Sequence, residues 1–451
     1  MLTQLRHFGR LLHRLNLSLI SLLSLLIIPA MQVSAAPIAQ TANPACVFTP
    51  IHPRTITATD LSADGNNIAY SDYVDIPEWG AAMNFFLYNR TSGQSHIATL
   101  TYNGEISLGV DNYTSRPALS ADGRIYAFLH EAPDMLPNSP SFQIYARDML
   151  TGQLEIISQN NGVFANQGAW NPVVSLDGRY VAFDSEASTL GYSNPTFNRE
   201  TYLYDRSTKE LELISIASDG SRGGGVTGVE YDGYQIGLSA DARYVVFTVN
   251  NLKGDDGVVY SGVFLRDRTD QRTYFIADGM DPTMTPSGRY IVFDSSSELL
   301  PTDQNPANDL YLYDRITQQL ELITVGPNGI SEPTSTTYSN SEARISADGS
   351  QVVFSTRRPN IVDDNDTNNL DDVFVRNRTR GITERLTVNA QGQEANAESR
   401  DPSISADGRL VVFHTKATNL LPSGAKGVYL CQRDPASFVT GTTLYLPLIN
   451  R

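Results

Sequence analysis

No stretch of this 451-residue sequence after residue 35 shows sustained helical periodicity with caps, so neither a helix bundle nor an α/β layer is expected. Basic charge is scarce: 33 Lys and Arg stand against 49 Asp and Glu, the net charge is −16, and no basic block occurs. An acidic surface repels phosphate, which argues against a nucleic-acid partner. Catalytic patterns are missing as well. His52, His96, His130 and His414 are scattered with no His-x-x-x-His pair, so no zinc site is expected. His130-Glu131 lacks the second His of a zincin, and no Gly-x-Ser-x-Gly occurs. Gly223 to Gly228 matches G-x-G-x-x-G in letters only, because it lies in a polar link with no helix after it.

Long apolar runs are absent save one. Leu17 to Ile28 is a short run of Leu, Ile and Ser behind Arg6, Arg10 and Arg14, and Val33-Ser34-Ala35 offers a small-residue cleavage site. Residues 1–35 read as a signal peptide, with an uncleaved membrane anchor as the alternative. There is no twin-Arg pair, and Asn43-Pro44-Ala45-Cys46 is no lipobox. The chain after residue 35 is expected to be exported (secreted, cell-surface or periplasmic), monomeric and without a membrane span.

What the sequence does hold is a repeat. Seven segments align: LSADGNNIAY at Leu61, LSADGRIYAF at Leu119, VSLDGRYVAF at Val174, LSADARYVVF at Leu238, MTPSGRYIVF at Met284, ISADGSQVVF at Ile345 and ISADGRLVVF at Ile404. A second motif follows each, such as YLYDRSTKE at Tyr202, LYLYDRITQ at Leu310 and a degenerate VYLCQRDPA at Val428. Each unit predicts two hairpins. Asp-Gly makes the first turn, since Gly accepts positive φ and Asp bonds its own backbone; Asp-Arg-x-Thr makes the second. Ala242 replaces Gly in the fourth copy and Thr285-Pro286-Ser287-Gly288 stands in the fifth, so those two turns are expected to differ in type. Seven four-stranded antiparallel units stacked radially share one core and protect their edges, which predicts an all-β, seven-bladed β-propeller; a linear β-solenoid is the competitor.

The frame P-x-x-S-x-D-G-R-x-V-x-F followed by D-x-Y-x-x-D-R, clearest at Arg400 to Phe413, resembles the TolB-like, WD-like propeller repeats of exported bacterial proteins. The resemblance covers about residues 56–433. It implies the fold and no single function. Residues 36–55 form an N-terminal segment suited to a ring-closing strand, and 434–451 a tail or edge strand with a Tyr445–Ile449 ending of unassigned role. Relatives often carry a further domain after the propeller, and none is expected after Arg433.

The resemblance places the first strand of each blade along a central channel. Arg116, Asn171, Gln235, Asp281, Glu342 and Asp401, just before those strands, are then expected to ring the channel mouth on the face of variable loops, where binding concentrates. The plain alternative is a polar rim that only solvates the tunnel. Trp170 beside the ring reads as a ligand platform or as inter-blade packing. In the loop Asp363 to Asp372, oxygens of Asp364, Asp366, Asn368 and Asp372 suit a hard cation such as Ca²⁺, though the Gly and Glu of an EF-hand are missing; a solvated turn-rich loop is the alternative. Asp303 to Asp309 is a thinner version. The repeated Ser-x-Asp-Gly acids read as turn formers, and the Asn89, Asn112, Asn365 and Asn377 sequons as incidental.

Two cysteines remain, Cys46 and Cys431. An exported chain meets an oxidising compartment, so a disulfide is expected, with two unpaired thiols as the alternative. The last unit lacks its own fourth strand after Asp434-Pro435. If Cys46-Val47-Phe48-Thr49 supplies it, the ring closes and the cysteines become neighbours; if Leu444–Ile449 supplies it, Cys46 stays outside. The function expected is non-enzymatic binding of a protein or polymer at the variable face. The rival is a glycosidase or lyase using Asp281 with Glu342 or Asp401.

Overall fold

In six of the seven first turns an Asp organises the turn. Ser62 Oγ and Asn66 N donate to Asp64 Oδ1 at 2.6 and 2.9 Å, and the same two bonds recur on Asp122, Asp177, Asp241, Asp348 and Asp407. They are seen in a computed structural model that describes residues 46–54, 59–78, 80–109, 116–192, 199–224, 235–331, 341–363 and 366–433. The expectation of two deviant turns is overturned. Ala242 takes φ 53° and Gly288 φ 67°, the left-handed conformation of the other copies, and both close on the residue three before at 2.9 and 2.8 Å. The turn's register demands that conformation, and Ala242 accepts it at some steric cost.

Four-stranded antiparallel sheets follow, in sequence order from the innermost strand outwards, over residues 60–97, 118–156, 169–213, 237–277, 280–322 and 341–385. The seventh sheet runs outwards from Ser399–Ile404 through Leu410–Thr415 and Gly427–Arg433, and Cys46–His52 is its outermost strand. Seven hydrophobic clusters fill the seven gaps between neighbouring blades. The one made by Leu61, Ile68 and Tyr70 with Val412, Val428 and Leu430 joins the first blade to the seventh, so the chain is a closed seven-bladed β-propeller. Ala406 N donates to Ala63 O across the same joint at 2.8 Å. Gly65 takes φ 71°, and a Cβ there would lie 2.3 Å from Leu410 Cδ1, so a side chain would have to move the end of Leu410 as well as accept the left-handed backbone.

The closing strand comes from the N-terminal side, as the paired reading of the cysteines requires. Val47 lies opposite Gln432 and Phe48 opposite Cys431, and Cys46 is bonded to Cys431. Phe48 packs edge-on against Phe413 and Tyr429 at 6.1 and 5.8 Å, and His52 reaches the first blade, with Nε2 2.6 Å from Asp72 Oδ2. Residues 434–451, including Leu444–Ile449, and the segment 1–35 lie outside the described residues. Among those described, no helix is long and apolar enough to cross a membrane.

Charge ties the blades on the turn face. The Arg of the second turn in one blade reaches the outer-strand Glu of the blade before: Arg206 to Glu155, Arg268 to Glu212, Arg378 to Glu321 and Arg433 to Glu384, at 2.5 to 3.1 Å. Within blades, Arg124, Arg179, Arg243 and Arg289 close on Asp148, Asp205, Asp267 and Asp314 at 2.6 to 2.8 Å. Hydrogen bonds from Arg124 and Arg289 are the main cause that lowers Asp148 and Asp314 to about 2. A carboxylate with a depressed folded-state pKa stabilises above its unfolded value near 3.9 and loses that contribution as pH falls through its folded value. The thermal midpoint is therefore expected to fall between about pH 4 and pH 2. Arg289→Ala should lower it at pH 7, and that deficit should shrink towards pH 2 in melts of the two proteins; an equal deficit at both would disprove the linkage.

Candidate functional site

The innermost strands break their own regularity where they face the channel. Each of blades three, five and seven carries a bulge, between Trp170 and Val173, Met280 and Thr283, and Arg400 and Ser403. In each, the residue before a proline is left-handed: Asn171 at φ 55°, Asp281 at 54° and Asp401 at 54°. Such a backbone costs of order 1 kcal/mol or more, and strain of this kind clusters at functional sites. All three residues line a central cavity of about 850 Å³, together with Asp60, Arg116, Gln235 and Arg344.

These residues are knitted across the channel. Arg116 Nη2 donates to Asp401 Oδ1 at 2.6 Å, His414 Nδ1 lies 2.8 Å from Asp401 Oδ2, and Thr59 Oγ1 donates to the Asp401 carbonyl at 2.7 Å. Gln235 N donates to Asp281 Oδ1 at 3.2 Å, and Arg344 Nη1 donates to Gln235 Oε1 from two blades away. Asp60 accepts from Leu119 N and Ser403 Oγ at 2.9 and 3.0 Å, joining blades one, two and seven. Burial lowers Arg116 to about 10. Burial pushes Asp401 up, but Arg116 and His414 outweigh it and hold the carboxyl well below the usual range. A carboxyl held low suits a base or nucleophile rather than the proton donor of a carboxylate pair, while burial pushes Asp60 in the same cavity upward.

Above this ring, one side of the mouth carries a chain of ion pairs. Arg357 and Arg400 meet on Asp371, Arg400 also reaches Glu398 at 3.2 Å, and Lys416 reaches Glu398 at 3.0 Å. Arg357 and Lys416 keep about half of their side chains exposed, at 42% and 54%. Five cations and five carboxylates thus line the cavity of a chain with net charge −16, making it less negative than the rest of the molecule.

Of the expected ring, Arg116, Asn171, Gln235, Asp281 and Asp401 face the cavity. Only the backbone of Glu342 is described, as part of the strand Ser341–Ile345. Of its two readings Trp170 takes inter-blade packing: it is 7% exposed, lies in the core between blades two and three, and carries Arg199 over its ring at 4.4 Å. At the bulge the left-handed Asn171 takes the position facing the cavity instead. Asp60, Arg344, Arg357, Asp371, Glu398, Arg400, His414 and Lys416 were not foreseen.

The acidic loop is rearranged relative to expectation. Asp364 lies outside the described residues. The Oδ1 of Asn368 accepts from Leu370 N and its Nδ2 donates to Ala395 O, both at 2.6 Å, so its amide shapes the turn. Asp366 and Asp372 do come together, and the third carboxylate beside them is Glu394. Burial, opposed by Thr387 and Arg385, raises Asp372 to about 7.

No protein-family model and no curated protein matches this chain. Among solved structures it is similar to the β-propeller domain of the Trilobed protease from Pyrococcus furiosus, with 12% identity over 84% of this chain and 94% of that one and a TM-score of 0.50. Oligogalacturonate lyase from Vibrio parahaemolyticus is similar at 14% identity over 86% and 93%, TM-score 0.50. TolB from Acinetobacter baumannii aligns at 15% identity over 82% and 81%, TM-score 0.39. The protease propeller has an open velcro topology, whereas here Cys46–His52 closes the ring. At such identities the likeness speaks for the fold, and the chain is a seven-bladed β-propeller, consistent with its TolB-like repeat frame.

Proposed function

We propose that this chain is an exported, non-enzymatic propeller that binds a protein or polymer partner at its variable-loop face, around the channel mouth. The observation that carries the reading is the state of the channel acids. Asp60, Asp281 and Asp401 are held by hydrogen bonds or ion pairs inside the ring, while the side chains of Arg357 and Lys416, paired with Asp371 and Glu398, stand about half-exposed at its rim. Engaged channel acids and a half-exposed charged rim suit recognition better than proton transfer. Three strained, bulged strands hold this rim in place, as a binding surface on a rigid scaffold requires.

The test is affinity capture from the source organism's envelope and medium with two baits, the native chain and Arg357→Glu/Lys416→Glu. A partner retained by the native bait and lost from the variant supports the reading. Identical capture by both, or turnover of a polyuronate by the native chain, contradicts it.

A further inference from the structure

Asp366, Asp372 and Glu394 of blade six place carboxylate oxygens within 4.8 Å of one another. We propose that these three residues bind one hard divalent cation, Ca²⁺ by preference, with the chain's own oxygens as ligands. All donors are oxygens, and carboxylates from a loop and an inter-blade link suit the adaptable coordination of Ca²⁺ better than the strict octahedron of Mg²⁺.

Acidity alone does not carry this; two buried oxygens do. The Asp372 side chain is 1% exposed. Its Oδ1 accepts from Thr387 Oγ1 at 2.5 Å, but its Oδ2 accepts no hydrogen bond, and Arg385 Nε stands 3.8 Å from it. Asp366 Oδ1 accepts from Asn368 N and Asn369 N at 3.0 and 3.1 Å, while its Oδ2 is also buried without a hydrogen bond. Buried carboxylate oxygens left in this state are costly, and a bound cation removes the cost.

The repeat supplies an internal control. In five blades a buried polar residue of the third strand, its first residue in all but blade one, accepts a hydrogen bond from a Ser or Thr fifteen residues later: Asn84 from Thr99, Gln143 from Ser158, Glu200 from Ser215, Asp309 from Thr324 and Asp372 from Thr387. Where that residue is an acid in blades three and five, an arginine from a following link or blade balances it. Arg222 reaches Glu200 at 2.8 Å, and Arg358 reaches Asp309 at 2.7 Å. Blade five is the nearest template, because Asp303, Asp309, Tyr311 and Ser331 each stand 63 residues before Asp366, Asp372, Phe374 and Glu394. There Tyr311 donates its phenol to Asp303 Oδ2 at 2.5 Å and Arg358 closes the knot from the next blade.

Blade six has lost each of these. Phe374 replaces the phenol donor, Glu394 adds a third acid where Ser331 was neutral, and Ala417 of blade seven stands two residues past Thr415 as Arg358 does past Thr356. Arg385 is the one cation reaching the three acids in the described contacts, and its Nη1 is taken by Glu394 Oε2 at 2.8 Å. Three carboxylates against one guanidinium leave two negative charges in a half-buried pocket, the charge of one divalent ion. The sequence-based choice of loop residues found Asp366 and Asp372 and missed Glu394, which the link to blade seven brings in.

The experiment is calorimetric titration of the chelator-treated full chain with CaCl₂, with MgCl₂ as comparison, alongside thermal melts. One site with a Kd of order 0.1–1 mM or tighter is expected, in the range of extracellular calcium modules. Glu394→Gln and Asp366→Asn should each weaken it about tenfold or more. Asp303→Asn in blade five should leave the titration unchanged. Two variants at partly exposed residues guard against one that fails to fold. Absence of binding up to about 10 mM Ca²⁺, or unchanged affinity in both Glu394→Gln and Asp366→Asn, overturns the proposal and leaves a proton shared among the acids.

Discussion

Replacing Cys46 and Cys431 together by alanine is expected to lower the stability of the chain by about 2–4 kcal/mol and to speed its unfolding. The bond joins residues 385 apart in sequence, so it encloses nearly the whole ring. Chain-entropy reasoning gives roughly 6 kcal/mol for so long a loop, and measured bridges usually deliver less. The kinetic effect should exceed the equilibrium one. Opening the ring at the seventh blade peels away Cys46–His52, frees Phe48 from Phe413 and Tyr429, and exposes the flank that Leu61, Ile68 and Tyr70 cover. Denaturant unfolding of oxidised native and doubly substituted protein measures both quantities. Equal unfolding rates would mean that strand pairing alone closes the ring.

Arg433→Met should cost about 3–5 kcal/mol, the range for breaking a buried ion pair. The Arg433 side chain is fully buried. It donates to Glu384 Oε2, Gln351 Oε1 and the Gly408 carbonyl, each at 3.1 Å, and so fixes the last blade to the sixth. Much of the loss comes from the Glu384 charge left behind. Glu384→Gln in the Arg433→Met background should therefore return part of it, and a double-mutant cycle in denaturant reads that coupling. A single variant within about 1 kcal/mol of native, or a double variant no better than the single, would show the pair to be dispensable.

The parts of this fold that were legible in the sequence are those set by local chemistry. Asp-Gly turns announce themselves because Asp bonds its own turn and Gly accepts positive φ, and five of them, with Asp241-Ala242 and Ser287-Gly288 in the same frame, count the seven blades. The closing strand was legible for a different reason: the last unit lacked a fourth strand, and Cys431 needed a partner. Ala242 misled because a turn's conformation is imposed by the two strands it joins as well as by the residue in it.

The site was less legible, because its residues meet through the fold. Asp60, Arg344 and His414 lie on three different blades and face one channel only once the ring is closed. Glu394 lies 22 residues beyond Asp372, and nothing in the acidic loop itself points to it. The Leu-Glu-Leu pattern of the outer strands fits plain alternation, yet Glu212 and Glu321 are the anchors for an arginine of the next blade. A Glu recurring at that position, paired in register with the Arg of the following repeat, was the available signal.

Cross-linking of the captured complex with an amine-reactive reagent tests the binding face most directly. The sequence has four lysines, Lys209, Lys253, Lys416 and Lys426. Lys209 sits in a second turn on the uniform face, whereas Lys416 leaves the second strand of blade seven at the channel mouth. Their side chains are almost equally exposed, at 56% and 54%, and each is paired with a glutamate, so intrinsic reactivity does not separate them. Cross-links to the partner from Lys416, with none from Lys209, are the expected result. Cross-links from Lys209 with Lys416 silent would place the partner on the opposite face and contradict the proposed function.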